Sequence, residues 1–177
     1  MTEAEFHKAF EQHKNSVYRF AWRMTGSPST AEDTVQDVFL TLLRLPQRFD
    51  PMRGSLRSFL LGIARNLVLK RWRDEHRWEE LGDELFVPQP VDAATGDLAR
   101  LVGEAVQSLP PLQREVVILA EYEELSLEEI ARAVESEVGT VKSRLHRARE
   151  NLRRMLAPLG PANTQKGLRS ISHGTIK

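Results

Sequence analysis

The sequence predicts an all-α protein built as two small helical domains joined by a flexible linker. Three observations carry that expectation. Thr2 and Glu5, Ser29 and Glu32, and Ser126 and Glu129 each have the spacing of a capping box ahead of helically periodic sequence. Apolar residues recur at steps of three and four, and no stretch alternates with period two. Between two such periodic regions lies Glu79–Gly96, with Glu79, Glu80, Asp83, Glu84 and Asp92, no basic residue, and Pro88 and Pro90. That composition reads as an acidic linker.

Taken in order, Phe6, Phe10, Val17, Phe20, Ala21 and Met24 mark a first helix. Gly26-Ser27-Pro28 breaks it, and Val35, Val38, Phe39, Leu42 and Leu43 mark a second. Pro46 and Pro51 bracket another break, after which Phe59, Leu60, Ile63, Leu67 and Val68 form a third stripe, with no proline from Ser55 to about Trp78. Beyond the linker, Leu98, Leu101, Val102, Ala105 and Val106 restart the pattern. Leu109-Pro110-Pro111 stops it, and Val116, Val117, Leu119 and Ala120 resume it. Residues 158–177 contain Pro158, Gly160, Pro161, Gly167 and Gly174 without apolar periodicity, which predicts a disordered tail. The expected boundaries are 1–78, 79–96, 97–157 and 158–177.

The chain has 177 residues and no cysteine, which excludes a disulfide scaffold and thiolate metal sites. No apolar run approaches the roughly 18 residues of a membrane span. The acidic start, Met1-Thr2-Glu3-Ala4-Glu5, lacks the order of a signal peptide, so a soluble cytoplasmic protein is expected. Basic and acidic residues balance at 25 each, but unevenly along the chain. Residues 51–78 hold 7 basic and 2 acidic residues, a net of +5; residues 138–177 hold 9 and 1, a net of +8. Residues 79–137 hold 3 and 15, a net of −12. Two basic blocks around an acidic one fit polyanion contacts at two places, or ordinary charged helix faces.

Residues 126–156 narrow the choice. Leu127, Ile130, Ala131 and Val134 make a short amphipathic helix capped by Ser126. After Glu135-Ser136-Glu137, in which Ser136 is the expected N-cap, a second helix turns Val138, Val141, Leu145, Ala148 and Leu152 inward. Two short helices across a tight turn are the helix-turn-helix plan, whose second helix enters the major groove. Lys142, Ser143, His146, Arg147 and Arg149 face outward, with Arg144, Arg153 and Arg154 on the flanks. Lysine and arginine donate to guanine O6 and N7, and later arginines suit phosphates.

Phe49–Asn66 resembles the second region of bacterial sigma factors, and Ala31-Glu32-Asp33-Thr34-Val35-Gln36-Asp37-Val38-Phe39 resembles the helix those proteins press against polymerase. Leu109–Val116, Leu127–Ala131 and Val138–Leu145 resemble their fourth region. The likeness covers about residues 3–156 and is to the small extracytoplasmic-function (ECF) group of the sigma-70 family. It implies a transcription initiation factor that recognises the minus-ten and minus-thirty-five elements and helps open the DNA.

For the minus-ten element it implies contacts from Arg57, Arg65, Asn66, Lys70, Arg71 and Arg73, with Arg77 on the same helix and Asn66 at a flipped base. An amide can both donate to and accept from a base edge. For the minus-thirty-five element it implies Thr140, Lys142, Ser143, Arg144, His146, Arg147 and Arg149. Asp33, Gln36, Asp37 and Leu40 would dock core RNA polymerase, on the coiled-coil clamp of its largest subunit, rather than form a merely solvated first turn. The flap of the second-largest subunit and an anti-sigma factor are the other implied partners.

Trp72 lies at helical spacing from the apolar stripe, which favours core over base stacking; Trp22 and Trp78 are weaker stacking candidates still. An 18-residue linker reaches at most about 60 Å. With the widths of the domains added, that covers the ~70 Å between elements two helical turns apart. The competing reading is a free-standing helix-turn-helix regulator. An enzyme is not expected: His7, His13, His76, His146 and His173 are scattered, and no phosphate loop appears. No cofactor and no metal site are expected either. Charge cancellation predicts weak DNA binding by the free chain, with polymerase needed to present both basic faces.

Overall fold

Local capping starts each helix of the first domain. In the computed structural model, which describes residues 1–75, 86–94 and 96–172, Thr2 and Glu5 form the expected capping box and open α1 (Glu3–Thr25). Gly26 ends it in the left-handed region at φ 68°, a conformation that glycine adopts without steric cost. α2 (Pro28–Arg44) is capped by Ser27, whose Oγ accepts from Thr30 N at 3.2 Å. The expectation that Ser29 and Glu32 form the box is therefore corrected: Pro28 suits the first helical position, so the helix begins two residues earlier. Two 3₁₀ turns, Pro46–Arg48 and Pro51–Arg53, lead to α3 (Leu56–Asp74), capped by Ser55.

These three helices enclose Val17, Phe20, Met24, Val38, Leu42, Leu60 and Leu61. Phe39 packs edge-on to Phe10 with centroids 4.9 Å apart, geometry that favours the aromatic quadrupole. Trp72 is buried, as its spacing predicts, and Trp22 is exposed. Arg77, Trp78, Glu79, Glu80, Asp83, Glu84, His76 and His173 lie outside the described residues.

Of the expected linker, residues 86–94 carry no helix or strand, and Val91 N donates to Met155 O at 2.9 Å. Phe86 and Val91 pack against the core. The second domain comprises α4 (Leu98–Ser108), α5 (Pro111–Val117), α6 (Leu127–Ala133) and α7 (Val138–Leu156). α5 runs on into a single π turn, Ile118–Tyr122. Ser126 and Glu129 form their capping box. Ser136 does not cap α7. Its N–H closes α6 by donating to Ala131 O at 2.9 Å, and Glu135 turns left-handed at φ 53°, so Glu137 becomes the N-cap.

The disordered-tail expectation fails for 161–172, which form α8 (Pro161–Ser172). Ile171 is buried, Thr164 Oγ1 donates to Leu156 O at 2.8 Å, and Gly167 lies flat on Leu98 and Val102 of α4. Two apolar residues three apart are enough here because α4, α7 and the π turn supply the groove.

The two domains pack against each other. α3 lies on α6 so closely that a Cβ built on Gly62 would sit 3.4 Å from Ala133 Cα. α1 meets α4, α5 and the π turn, and one apolar cluster runs through both halves.

Candidate nucleic-acid interface

Two basic surfaces emerge from this packing. On α3, Asn66, Lys70 and Arg73 are exposed along one side. Asn66 stands at the mouth of a groove of about 330 Å³ whose near walls are Arg48, Phe49, Arg53, Phe59 and Ile63. Arg132 and Glu135 of the second domain form its far wall. Aromatic and aliphatic walls beside an amide and cationic side chains suit an unstacked base next to its phosphates. Arg71 reaches across to α2, donating to Thr30 Oγ1 at 3.3 Å and approaching Asp33 Oδ2 at 3.5 Å.

Arg57 and Arg65, predicted for the same surface, instead point into the domain interface. Arg65 donates from Nε to Glu115 Oε2 at 2.8 Å and from Nη2 to Oε1 at 3.2 Å. Arg57 bonds Glu123, and its Nε donates to Ser16 Oγ at 3.1 Å. Burial pushes the Glu115 carboxyl above its ordinary pKa, while the Arg65 hydrogen bond opposes it.

The helix-turn-helix forms as predicted, with α6 and α7 packed across the turn at Glu135. Val141, Leu145, Ala148 and Leu152 face inward, leaving Lys142, Ser143, His146, Arg147 and Arg149 exposed. Ser143 Oγ bonds back to Gly139 O at 3.1 Å, and Arg149 Nε donates to Glu121 Oε1 at 3.0 Å. Thr140 is half-buried, and Arg144 turns inward to within 3.8 Å of Glu115 Oε1.

Asp33, Gln36, Asp37 and Leu40 share one exposed side of α2. Leu40 is 43% exposed and Leu43, which no sequence pattern singled out for docking, 53%. Large apolar side chains beside carboxylates suit a protein partner better than a purely solvated acidic face.

Sequence reasoning missed Glu115 and Glu123. Glu115 stands three residues after Leu112 and four before Leu119, on the same helical face as those two leucines, and that placement was the available signal. Among the described residues, no helix is long and apolar enough to cross a membrane, and no three His, Asp or Glu side chains gather as metal ligands.

Fold and surfaces together define a two-module, helix-turn-helix DNA-binding protein. The sigma-70 region 2 profile matches residues 9–78 and the sigma-70 region 4 profile residues 99–152. The chain is 32% identical to the ECF RNA polymerase sigma factor SigW of Bacillus subtilis over 162 residues, 83% of this chain and 86% of that one. It is 37% identical to the ECF sigma factor SigE of Mycolicibacterium smegmatis over 82% of its own length, spanning 59% of that longer protein.

Among solved structures it is similar to the sigma factor RpoE in complex with the anti-sigma factor NepR from Bartonella quintana. The TM-score is 0.65 at 27% identity, covering 85% of this chain and 96% of that one. It is also similar to CnrH in complex with the cytosolic domain of CnrY, with TM-score 0.62 at 26% identity, covering 85% and 86%. The chain belongs to the ECF sigma factors of the sigma-70 family, transcription initiation factors that bind core RNA polymerase and direct it to promoters.

Proposed function

We propose that residues 1–78 dock polymerase and hold the melted minus-ten strand, that residues 97–157 read the minus-thirty-five element, and that residues 79–96 join them. Asp33, Gln36, Asp37 and Leu40 carry the docking, on the clamp coiled coil of the largest subunit. Arg57, Arg65, Asn66, Lys70, Arg71 and Arg73 hold the non-template strand. Thr140, Lys142, Ser143, Arg144, His146, Arg147 and Arg149 serve the second element, where the flap of the second-largest subunit is the adjoining polymerase partner. The chain works in the cytoplasm as a binding factor and performs no catalysis of its own. An anti-sigma factor is its expected regulator, since the similar sigma factor RpoE is seen in complex with one.

The observation that carries this reading is Asn66 beside the groove walled by Phe49, Phe59 and Ile63, with Lys70 along the same helix. A single strand needs a pocket for an exposed base and cations for its backbone, and both are adjacent here. Asn66→Ala tests it. Promoter opening, followed by permanganate reactivity of the melted thymines, should weaken by roughly 1–3 kcal/mol while polymerase binding is retained. Loss of polymerase binding instead would make Asn66 structural. A free-standing helix-turn-helix regulator would bind its operator alone and leave core polymerase untouched, which the docking face on α2 and membership of the family both disfavour.

A further inference from the structure

One side of the recognition helix carries an acid among its cations. Lys142, His146, Arg149 and Arg153 recur at steps of four, three and four, so they form a single row along α7. That row walls a groove of about 630 Å³ whose other wall comes from the π turn and the start of α6. Glu121, on the π turn, lines the same groove. Arg149 Nε donates to Glu121 Oε1 at 3.0 Å, and Arg149 Nη2 donates to the same oxygen.

The two partners are unequally placed. The Glu121 side chain is 13% exposed and that of Arg149 47%, so the carboxylate is held from behind while the guanidinium stays within reach of a ligand. The neighbouring pair of Arg153 and Glu150 differs, because both ends are exposed, and such pairs hold neither side chain firmly. Packing does not require the Glu121 pair. α7 is already joined to α5 by Asn151 Nδ2, which donates to Gln113 Oε1 at 2.8 Å, and by the inward row of Val141, Leu145, Ala148 and Leu152.

Glu121 occupies the Nε–Nη2 edge of the guanidinium, which leaves the Nη1–Nη2 edge for a second bidentate acceptor. DNA offers two acceptors of that shape, a phosphate and the O6/N7 edge of guanine. The place of Arg149 late in α7 favours phosphate, but its partner argues the other way. A phosphate would meet a cation already neutralised, with a carboxylate of like charge just behind it. The guanine edge carries no net charge and suffers no such repulsion.

We propose that Glu121 is a positioning residue that turns Arg149 from a phosphate-binding cation into the reader of one guanine in the minus-thirty-five element. This rests on the assignment of α7 to that element above. Holding the fork in place before DNA arrives also reduces the rotamer freedom lost on binding. Glu121 and Arg149 are 28 residues apart, so no sequence periodicity links them.

The test uses the full chain with core polymerase, bound to promoter fragments randomised across the minus-thirty-five element. Sequencing the bound fraction gives the preference at each position. Arg149→Ala should remove a guanine preference at one position, a discrimination of about tenfold or more. Glu121→Ala should remove the same preference at the same position, and the double variant should add little further, as expected of coupled residues. Should the alanine variant unfold early, Glu121→Gln keeps the shape of the side chain and removes its charge, and the preference should still fall.

A loss shared by all sequences alike, in either variant, makes the contact a phosphate one and overturns the proposal. So does an unchanged guanine preference in the Glu121 variants, which would reduce the pair to a structural tie. Failure of the α7 assignment itself reads differently. The wild-type holoenzyme would then select no preferred sequence at this element, and the proposal would fall with that assignment.

Discussion

The Arg114 guanidinium, from the second domain, donates to the Met24 carbonyl oxygen at the C-terminal end of α1 in the first. It also donates twice to Leu109 O, at 3.2 and 2.9 Å, and lies 5.6 Å from the Trp72 ring centroid. Burial lowers its pKa to about 10, so it stays charged at neutral pH, and its hydrogen bonds are charge-assisted. Arg114→Met keeps the stem and removes the donors. It should cost about 1.5–3 kcal/mol in urea unfolding. A loss within ~0.5 kcal/mol would mean solvent satisfies those carbonyls instead.

Asp33→Lys with Asp37→Lys should abolish the complex with core polymerase on gel filtration at moderate salt. The fold should barely notice. Asp33 pairs with Arg71 at 3.5 Å in an exposed setting, and such pairs contribute about 0–1 kcal/mol. A surviving complex would mean that these two carboxylates do not carry the docking, and Leu40 and Leu43 on the same helix are then the next residues to test.

On the recognition helix, Lys142→Ala and Arg147→Ala should each weaken binding to the minus-thirty-five element by roughly 1–3 kcal/mol where a base contact is lost. If either side chain holds a phosphate, its loss should weaken all sequences alike and lower the salt slope by about 1. Titrating holoenzyme on matched and scrambled elements at two salt concentrations separates these outcomes. Unchanged promoter strength would remove both residues from the interface.

Glycine substitutions probe the unforeseen last helix. A Cβ on Gly167 would lie 2.9 Å from Val102 Cγ2, and valine is stiff at χ1. Gly167→Ala should therefore lower stability by about 1–3 kcal/mol through overpacking. Gly103→Ala, within α4 and with nothing within 4 Å of its Cβ, should raise stability by roughly 0.5–1 kcal/mol. Thermal unfolding followed at 222 nm measures both. Stabilisation by both changes would mean α8 is not seated on α4.

The helices were legible because their causes are local. A capping serine acts over three residues and an apolar stripe over four, so α3, α6 and α7 could be placed without knowing what they pack against. The helix-turn-helix and the side of α7 that faces outward follow from the same periodicity. Ser29 and Ser136 misled because several short polar residues can cap a helix; Pro28 in one case and the left-handed Glu135 in the other decided between them.

What the sequence alone determined was therefore the all-helical class, the apolar faces, the helix-turn-helix and the residue types offered to DNA. Tertiary structure decided which of those residues stand open. Arg65 and Glu115 are 50 residues apart and Arg57 and Glu123 66, separations at which no periodicity couples one side chain to another. Likewise α8 holds its place by lying in a groove made by α4, α7 and the π turn, not through strong apolar repetition of its own. Ion pairing and burial depend on distance in space, and closure of the chain sets that distance.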